Sequence, residues 1–170
     1  MNPRVIGIDP SLTATGIVTA DGEARTVRGR DSTDRRLRDL YSVVREVATD
    51  CSLAVIEDLP THANGAGITG MAQGVIRLAL MRADCPYAVC PPATLKKYAS
   101  GKGNCDKGDM RMALFQRTGL DLRDDNQVDA CWLRLMGLDW LGDALVKLPQ
   151  AQRDSLQKCR WPRLDRAEAA

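Results

Sequence analysis

Two short apolar runs, each followed directly by an acidic residue, constrain the fold of this chain more than any other feature. Residues 5–8 (VIGI) precede Asp9, and residues 53–56 (LAVI) precede Glu57. Short apolar runs bounded by polar or turn-forming residues are typical of buried strands. If the two runs are neighbouring central strands, Asp9 and Glu57 emerge beside each other at one edge of the sheet. A buried carboxylate there is costly unless it is hydrogen-bonded, paired or bound to a metal.

The rest of the pattern predicts one α/β domain with a mixed sheet. The Asp21-Gly22 turn favours a hairpin, so the first three strands are predicted to be antiparallel. Apolar residues recur at helical spacing between the later strands. The predicted strands are residues 5–8, 16–20, 24–29, 53–56 and 87–90, and the predicted helices are residues 34–48, 68–83, 94–98, 107–118 and 126–140.

Composition excludes several classes of protein. The chain has 170 residues, of which 44% are hydrophobic and 27% charged, the balance of a soluble domain. No run approaches the roughly 20 apolar residues of a membrane span, and the first residues lack a signal-peptide pattern. We therefore expect a cytoplasmic protein with no membrane partner. Gly101-Lys102 is followed by Gly103, which does not match a P-loop, so no nucleotide cofactor is expected.

A third acid, Asp129, stands on the first turn of the last predicted helix, where it could reach the same edge. Three carboxylates around one point suit a hard divalent cation such as Mg²⁺. Each residue also has a simpler interpretation. Asp9 precedes Pro10 and suits a turn, while Asn126, three residues before Asp129, suits a helix cap.

A basic segment lies between the second and third of these acids. Residues 93–118 hold six cations against two anions, Asp106 and Asp109. Such a segment is compatible with a polyanionic partner and equally with a solvated surface. The cations are Lys96, Lys97, Lys102, Lys107, Arg111 and Arg117.

Five segments, in order along residues 4–140, resemble the RuvC-type Holliday-junction resolvases of the ribonuclease H-like superfamily. They are RVIGIDPSLTATGIV, LAVIED, GITGMAQGVIRLAL, CPPATLKKYASGKGNCDKGDM and DDNQVDACWLRL. The resemblance implies a ribonuclease H-like fold and an endonuclease that nicks four-way DNA junctions. It also implies a homodimer that needs one or two Mg²⁺ ions, for which Mn²⁺ can substitute. We expect a nuclease domain over residues 1–150 and a basic tail over residues 151–170, in a bacterium or in a cell infected by its phage.

The resemblance assigns roles to individual residues. Asp9, Glu57 and Asp129 match the catalytic acids that bind metal, with Asn126 at the family's fourth acidic position. Lys107 matches a basic position near the scissile phosphate, and it is expected to act in catalysis. The DNA-binding residues expected from the basic segment are Lys96, Lys97, Lys102, Lys107 and Arg111.

Two departures from the family pattern affect these expectations. Asn126 replaces an acid, with Asp125 beside it, so either residue is a candidate fourth ligand. The loop over residues 58–67 has no aromatic residue to wedge into a junction. Two alternatives therefore stay open: a related nuclease that acts on other branched DNA or on RNA, and a junction-binding protein with weakened catalysis. The helix over residues 68–83 is apolar around more than one face, which predicts that it packs on both the sheet and a second copy.

Overall fold

The computed structural model describes residues 2–29, 33–59 and 66–164, which form one five-stranded mixed sheet with helices on both faces. The strand order is β3-β2-β1-β4-β5. The first three strands are antiparallel, and β4 and β5 run parallel to β1. This is the predicted arrangement. The strands are β1 (Val5–Asp9), β2 (Thr15–Val18), β3 (Ala24–Val27), β4 (Leu53–Glu57) and β5 (Tyr87–Cys90).

Side-chain alternation along the strands divides the core into two layers. Ile6 and Ile8 of β1 face one layer, which is closed by the first two helices. Val5 of β1 faces the other, which is closed by the next three helices and centred on the fully buried Trp132. The helices are α1 (Thr33–Val47), α2 (Ala66–Arg82), α3 (Pro92–Ser100), α4 (Lys107–Thr118) and α5 (Asp125–Trp140).

Helix α5 packs against the sheet closely enough to require glycine at two strand positions. A Cβ atom on Gly7 of β1 would lie 1.9 Å from the carbonyl oxygen of Ala130. A Cβ atom on Gly16 of β2 would lie 2.0 Å from the carbonyl oxygen of Asn126. No side chain fits at either place, so the two glycines let the first turns of α5 rest on the backbone of β1 and β2.

Several predicted boundaries move by one or two residues. The β2 strand begins at Thr15 and ends at Val18, two residues before the predicted end. Helix α5 begins at Asp125, and the side chain of Asp124 caps it by accepting the N–H of Asn126. The interpretation of Asn126 as the helix cap is therefore wrong. Asp124 holds the capping position because Thr26 and Arg28, from β3 and the residue after it, also bind its carboxylate.

Within the predicted basic tail, the structure describes residues up to 164. They contain a short helix, α6 (Gln150–Arg153), followed by a 3₁₀ helix (Asp154–Lys158). Arg160 then forms an antiparallel bridge with Val89 of β5. This segment packs on the domain because its partners come from distant parts of the chain, which composition does not reveal. Throughout the described ranges, each helix is too short or too polar to cross a lipid bilayer.

Candidate active site

The ends of β1 and β4 bring Asp9 and Glu57 side by side. The two strands pair in parallel with Ile8 opposite Ile56, so the next residue of each strand is the acid. The alternation that points Ile8 and Ile56 to the α1–α2 layer turns both acids toward α5. Asp9 is only 8% exposed, and its carboxyl group is hydrogen-bonded to that of Glu57. The predicted adjacency of the two acids is present.

Burial and like charge make this pair hold protons more tightly than ordinary carboxyl groups. Burial, and then the charge of Asp129, raises the pKa of Asp9 from 3.8 to about 7. Burial, and then the charge of Asp9, raises the pKa of Glu57 well above 4.5. Two like charges in one buried site disfavour each other, so the two carboxyl groups do not ionise as readily as they would in water.

Asp129 joins the pair from the first turns of α5. Burial raises its pKa from 3.8 to about 6, and the positive charge of Lys107 opposes that rise. The carboxylate of Asp129 in turn raises the pKa values of both Asp9 and Glu57. Three acids from three elements therefore share one electrostatic environment.

Two lysines of the basic segment act on this cluster. The ammonium group of Lys107, at the start of α4, lies 2.9 Å from a carboxylate oxygen of Asp125. That hydrogen bond, and then the charges of Asp125, Asp129 and Asp9, raise the pKa of Lys107. Lys96 of α3 lies near enough for its charge to lower the pKa values of Glu57 and Asp129. The acids thus have cations beside them that remain free to approach a phosphate.

Asn126 and Asp125, the two candidates for a fourth ligand, have different partners. The side-chain amide of Asn126 donates to Asp124 at 3.0 Å, which fixes the orientation of the amide group. The backbone of Asn126 rests on Gly16, whose register partner is Asp9. Asp125 instead holds Lys107. Asn126 is therefore placed beside the cluster, whereas Asp125 is engaged with a cation.

The donor set of this site fits a hard divalent cation by its chemistry and its charge. All three acids offer oxygen ligands, and burial raises their pKa values although the charges of Lys107 and Lys96 oppose the rise. A divalent cation would supply the missing positive charge. Within the parts of the chain that the structure describes, however, no three Asp, Glu, His or Cys side chains are arranged so that they could hold a metal ion.

Comparison with known proteins identifies the family. The sequence model of crossover junction endodeoxyribonuclease RuvC matches residues 5–131, a range that contains all three acids and both lysines. This chain belongs to the RuvC family. The resemblance noted from the five sequence segments is confirmed, and the chain is an enzyme of the crossover junction endodeoxyribonuclease class.

Individual members of the RuvC family support the assignment. The RuvC of Synechococcus sp. (strain WH7803) is 30% identical over 151 residues, which covers 79% of this chain and 97% of that protein. The RuvC of Frankia alni is 30% identical over 166 residues, covering 87% of this chain and 83% of that protein. A solved structure of Thermus thermophilus RuvC in complex with a Holliday junction substrate is similar, with a TM-score of 0.70. It has 21% identity and covers 82% of this chain and 96% of that one, which confirms the predicted ribonuclease H-like fold.

The other predicted DNA-binding residues of this RuvC-family chain lie on α3, on the loop after it and on α4. Lys97 and Lys102 are exposed, on α3 and on the loop after it. Arg111 of α4 pairs with Asp121 at 2.7 Å. These three residues remain predicted DNA contacts. Of the loop over residues 58–67, residues 60–65 lie outside the described part of the chain.

Sequence reasoning missed the residues that hold Glu57 and Asp58. Gln73 of α2 is buried and donates its side-chain amide to the backbone carbonyl of Glu57 at 3.0 Å. Asp58 accepts a hydrogen bond from Arg160 at 2.7 Å and lies 3.8 Å from Arg77. No local sequence pattern indicates these contacts, because the partners are distant along the chain and meet only through the fold.

Proposed function

We propose that this chain is a metal-dependent endonuclease that nicks four-way DNA junctions during recombination, repair or phage DNA processing. One observation carries the proposal: Asp9 and Glu57 stand side by side at the ends of adjacent parallel strands, and the charge of Asp129 acts on both. Buried acids whose pKa values are raised by one another are typical of functional sites. The names of the RuvC relatives supply the substrate, a crossover junction.

Asp9, Glu57 and Asp129 are the proposed ligands of one or two Mg²⁺ ions, with the amide oxygen of Asn126 as the proposed fourth donor. Mn²⁺ offers similar chemistry and is expected to substitute. When bound, the ions activate water and neutralise charge on the phosphate. Because carboxylates bind cations only when deprotonated, Asp9, Glu57 and Asp129 would hold an ion in their charged forms.

Lys107 and Lys96 are proposed to hold the phosphate backbone beside the acids. The charge of each reaches the cluster, and Lys107 is oriented by Asp125. Ammonium groups fixed beside developing negative charge stabilise the transition state without reorganisation. Lys97, Lys102 and Arg111 would extend the contact along the strand without reading its sequence.

A homodimer is the proposed active form. Helix α2 buries Ala72, Ile76, Ala79 and Leu80 against the domain. Its other face leaves large apolar side chains exposed, with exposed fractions of 54%, 43%, 47% and 61%. A second copy of this face would cover them and would place two active sites on a two-fold symmetric junction. The exposed residues are Ile68, Met71, Leu78 and Met81.

Light scattering tests the dimer. At micromolar concentration the expected mass is roughly twice the 18.6 kDa of one chain. Replacing Leu78 by Asp is expected to shift the mass toward 18.6 kDa. A wild-type mass of a single chain at that concentration would contradict the proposal.

The proposed place of action is the cytoplasm of a bacterium, or of the host when the gene is carried by a phage.

The nuclease activity is tested on a denaturing gel. Wild-type protein is incubated with an end-labelled four-way junction and with a linear duplex of matched sequence, each with and without Mg²⁺. We expect paired nicks in the junction that require Mg²⁺, and little cleavage of the duplex. Binding without nicking would identify a junction-binding protein, and equal cleavage of both substrates would identify a different nuclease.

A further inference from the structure

The C-terminal segment, residues 150–163, places an arginine beside the active site. Arg160 pairs with Val89 through two backbone hydrogen bonds of 3.0 and 3.2 Å. Val89 precedes Cys90, which is the register partner of Glu57. Arg160 thus extends the edge of the sheet that holds the acids, on the far side of β5. Its guanidinium group reaches back to Asp58, the residue after Glu57.

Buried contacts fix this segment in place. Arg153 binds both carboxylate oxygens of Asp139, which is 4% exposed and also accepts the hydroxyl of Tyr98. The ring of Trp161 stacks on Trp140 with centroids 4.5 Å apart. Arg160 lies between these two anchors. Its backbone position is therefore set by the fold, and only its side chain is free to change partners.

The outer surface of the C-terminal segment is basic. Residues 150–163 hold four cations and one anion, Asp154. Arg153 is neutralised by Asp139, whereas Lys158, Arg160 and Arg163 are exposed. The 3₁₀ helix that carries Lys158 packs against α3, the helix that carries Lys96 and Lys97. This basic segment therefore lies next to the helix that carries part of the proposed DNA-binding surface.

The ion pair between Arg160 and Asp58 is easily exchanged. The Arg160 side chain is 68% exposed, and exposed ion pairs contribute only about 0–1 kcal/mol. Asp58 also has Arg77 as a second cation at 3.8 Å, so Asp58 keeps a partner when Arg160 leaves. A phosphate group offers the planar guanidinium a bidentate contact of the kind that arginine prefers.

We propose that Arg160 binds a backbone phosphate of the DNA on the β5 side of the active site. Asp9 and the Arg160 strand are separated by three strand spacings, or about 14 Å, which places this phosphate a few nucleotides from the site of nicking. Arg160 lies outside residues 5–131, which match the family model, so the contact is a property of this chain's C-terminal segment. The inference rests on the proposed function, since it needs DNA at the acids.

The test measures binding separately from nicking. Affinity for a fluorescent four-way junction is measured by anisotropy in EDTA over a series of salt concentrations. Arg160→Gln is expected to raise Kd by about threefold to tenfold and to lower the slope of log Kd against log salt by about one. Arg160→Lys keeps the charge and is expected to keep the wild-type slope. The matched control is Arg38→Gln, an exposed arginine of α1 that pairs with Asp39; its affinity is expected to equal that of wild type.

A structural role for Arg160 would give different results. If Arg160 only clamps Asp58, then Asp58→Asn weakens binding as much as Arg160→Gln does, and the proposal is wrong. We expect Asp58→Asn to bind as tightly as wild type or more tightly, because it frees Arg160 and removes a negative charge. An unchanged slope in Arg160→Gln would also overturn the proposal. Failure of wild-type protein to nick junctions in Mg²⁺ would instead overturn the proposed function, so the two failures are distinguishable.

Discussion

The contact between β1 and α5 has two regions, only two residues apart on the strand, with opposite effects on stability. At Gly7 the helix backbone rests directly on the strand, beside Ala130. At Asp9 the same face of the strand presents a buried acid to Asp129, the residue before Ala130 on the helix. Close packing stabilises the first region, whereas buried like charges, only partly offset by Lys107 and Lys96, destabilise the second.

This difference shows why the fold can support an unfavourable site. Because α5 is held on β1 and β2 by backbone packing at Gly7 and Gly16, its first turns need no attraction between the acids. The position of Asp129 is set by the helix, and the acids remain close despite their mutual repulsion. The proposed metal site would then be formed before an ion binds, at a cost in the stability of the metal-free protein.

Gly7→Ala is expected to give the largest loss of stability, because it disrupts the close packing of α5 on β1. The new Cβ atom would overlap two backbone atoms of α5, so we expect a loss of about 3 kcal/mol or more in the free energy of unfolding. Gln116→Ala is the control, since Gln116 is exposed on α4. That change is expected to alter the free energy of unfolding by less than about 0.5 kcal/mol. Denaturant unfolding measures both, and equal stabilities would contradict the close packing.

Asp9→Asn is expected to lower the nicking rate without lowering the stability of the metal-free protein. Loss of the shared ligand should lower the nicking rate by about 10² or more, because bound metal supplies several kcal/mol of transition-state stabilisation. The same change removes a buried charge, so the metal-free protein should be equally or more stable at pH 7.5. The rise in melting temperature caused by Mg²⁺ should shrink. A variant that unfolds more easily without metal would show that the acid pair stabilises the fold.

The pH dependence of metal-free stability follows from the raised pKa values. An acid whose pKa is about 7 in the folded state and 3.8 when unfolded makes the fold less stable as pH rises from about 4 to 7. We expect this group alone to lower the free energy of unfolding by about 1–3 kcal/mol over that window. Denaturant unfolding in EDTA at pH 5 and pH 7.5 measures the drop. Asp9→Asn should show a smaller drop, and identical drops would mean that Asp9 titrates normally.

The sequence predicted the parts of this arrangement that depend on continuous apolar runs. The runs before Asp9 and Glu57 mark buried strands, and parallel pairing of such strands places both acids at one edge. The start of α5 was harder to predict because Asp124, Asp125 and Asn126 all suit a helix terminus. The choice among them depends on Thr26 and Arg28, which come from the edge strand β3 and the residue after it.

The packing of the C-terminal segment could not be predicted for a similar reason. Its helical turns are short and carry no apolar period, and they are held by Tyr98, Asp139 and Val89. Contacts of this kind depend on tertiary structure rather than on local preference. The same is true of Asp125, which pairs with Lys107 of another helix.

Lys107→Ala tests the cation that balances the acids. Its side chain is 75% exposed and hydrogen-bonded to Asp125, so its removal should weaken DNA binding more than it lowers the stability of the fold. We expect nicking to fall by about tenfold, and the salt slope of junction binding to fall by about one. Lys107→Arg should restore the slope. Lys147, an exposed lysine beyond the opposite end of α5, serves as the control, and Lys147→Ala should leave nicking unchanged. An equal effect of both changes would make Lys107 an ordinary surface charge.

Asn126→Asp is expected to give the smallest effect and tests where the cluster ends. Asn126 and Asp129 lie three apart on one face of α5, and an added carboxylate at residue 126 would bring both a ligand and a negative charge. We therefore expect nicking to reach half its maximum at a severalfold lower Mg²⁺ concentration. The exchange of amide for carboxylate also removes the hydrogen bond that Asn126 donates to Asp124, so a small loss of stability without metal should accompany the gain. Asp125→Ala is the matched control, because Asp125 binds Lys107 and should leave the Mg²⁺ requirement nearly unchanged. If Asp125→Ala instead raised that requirement strongly while Asn126→Asp had no effect, the fourth ligand would be Asp125, and the acidic region would begin one residue earlier on the helix.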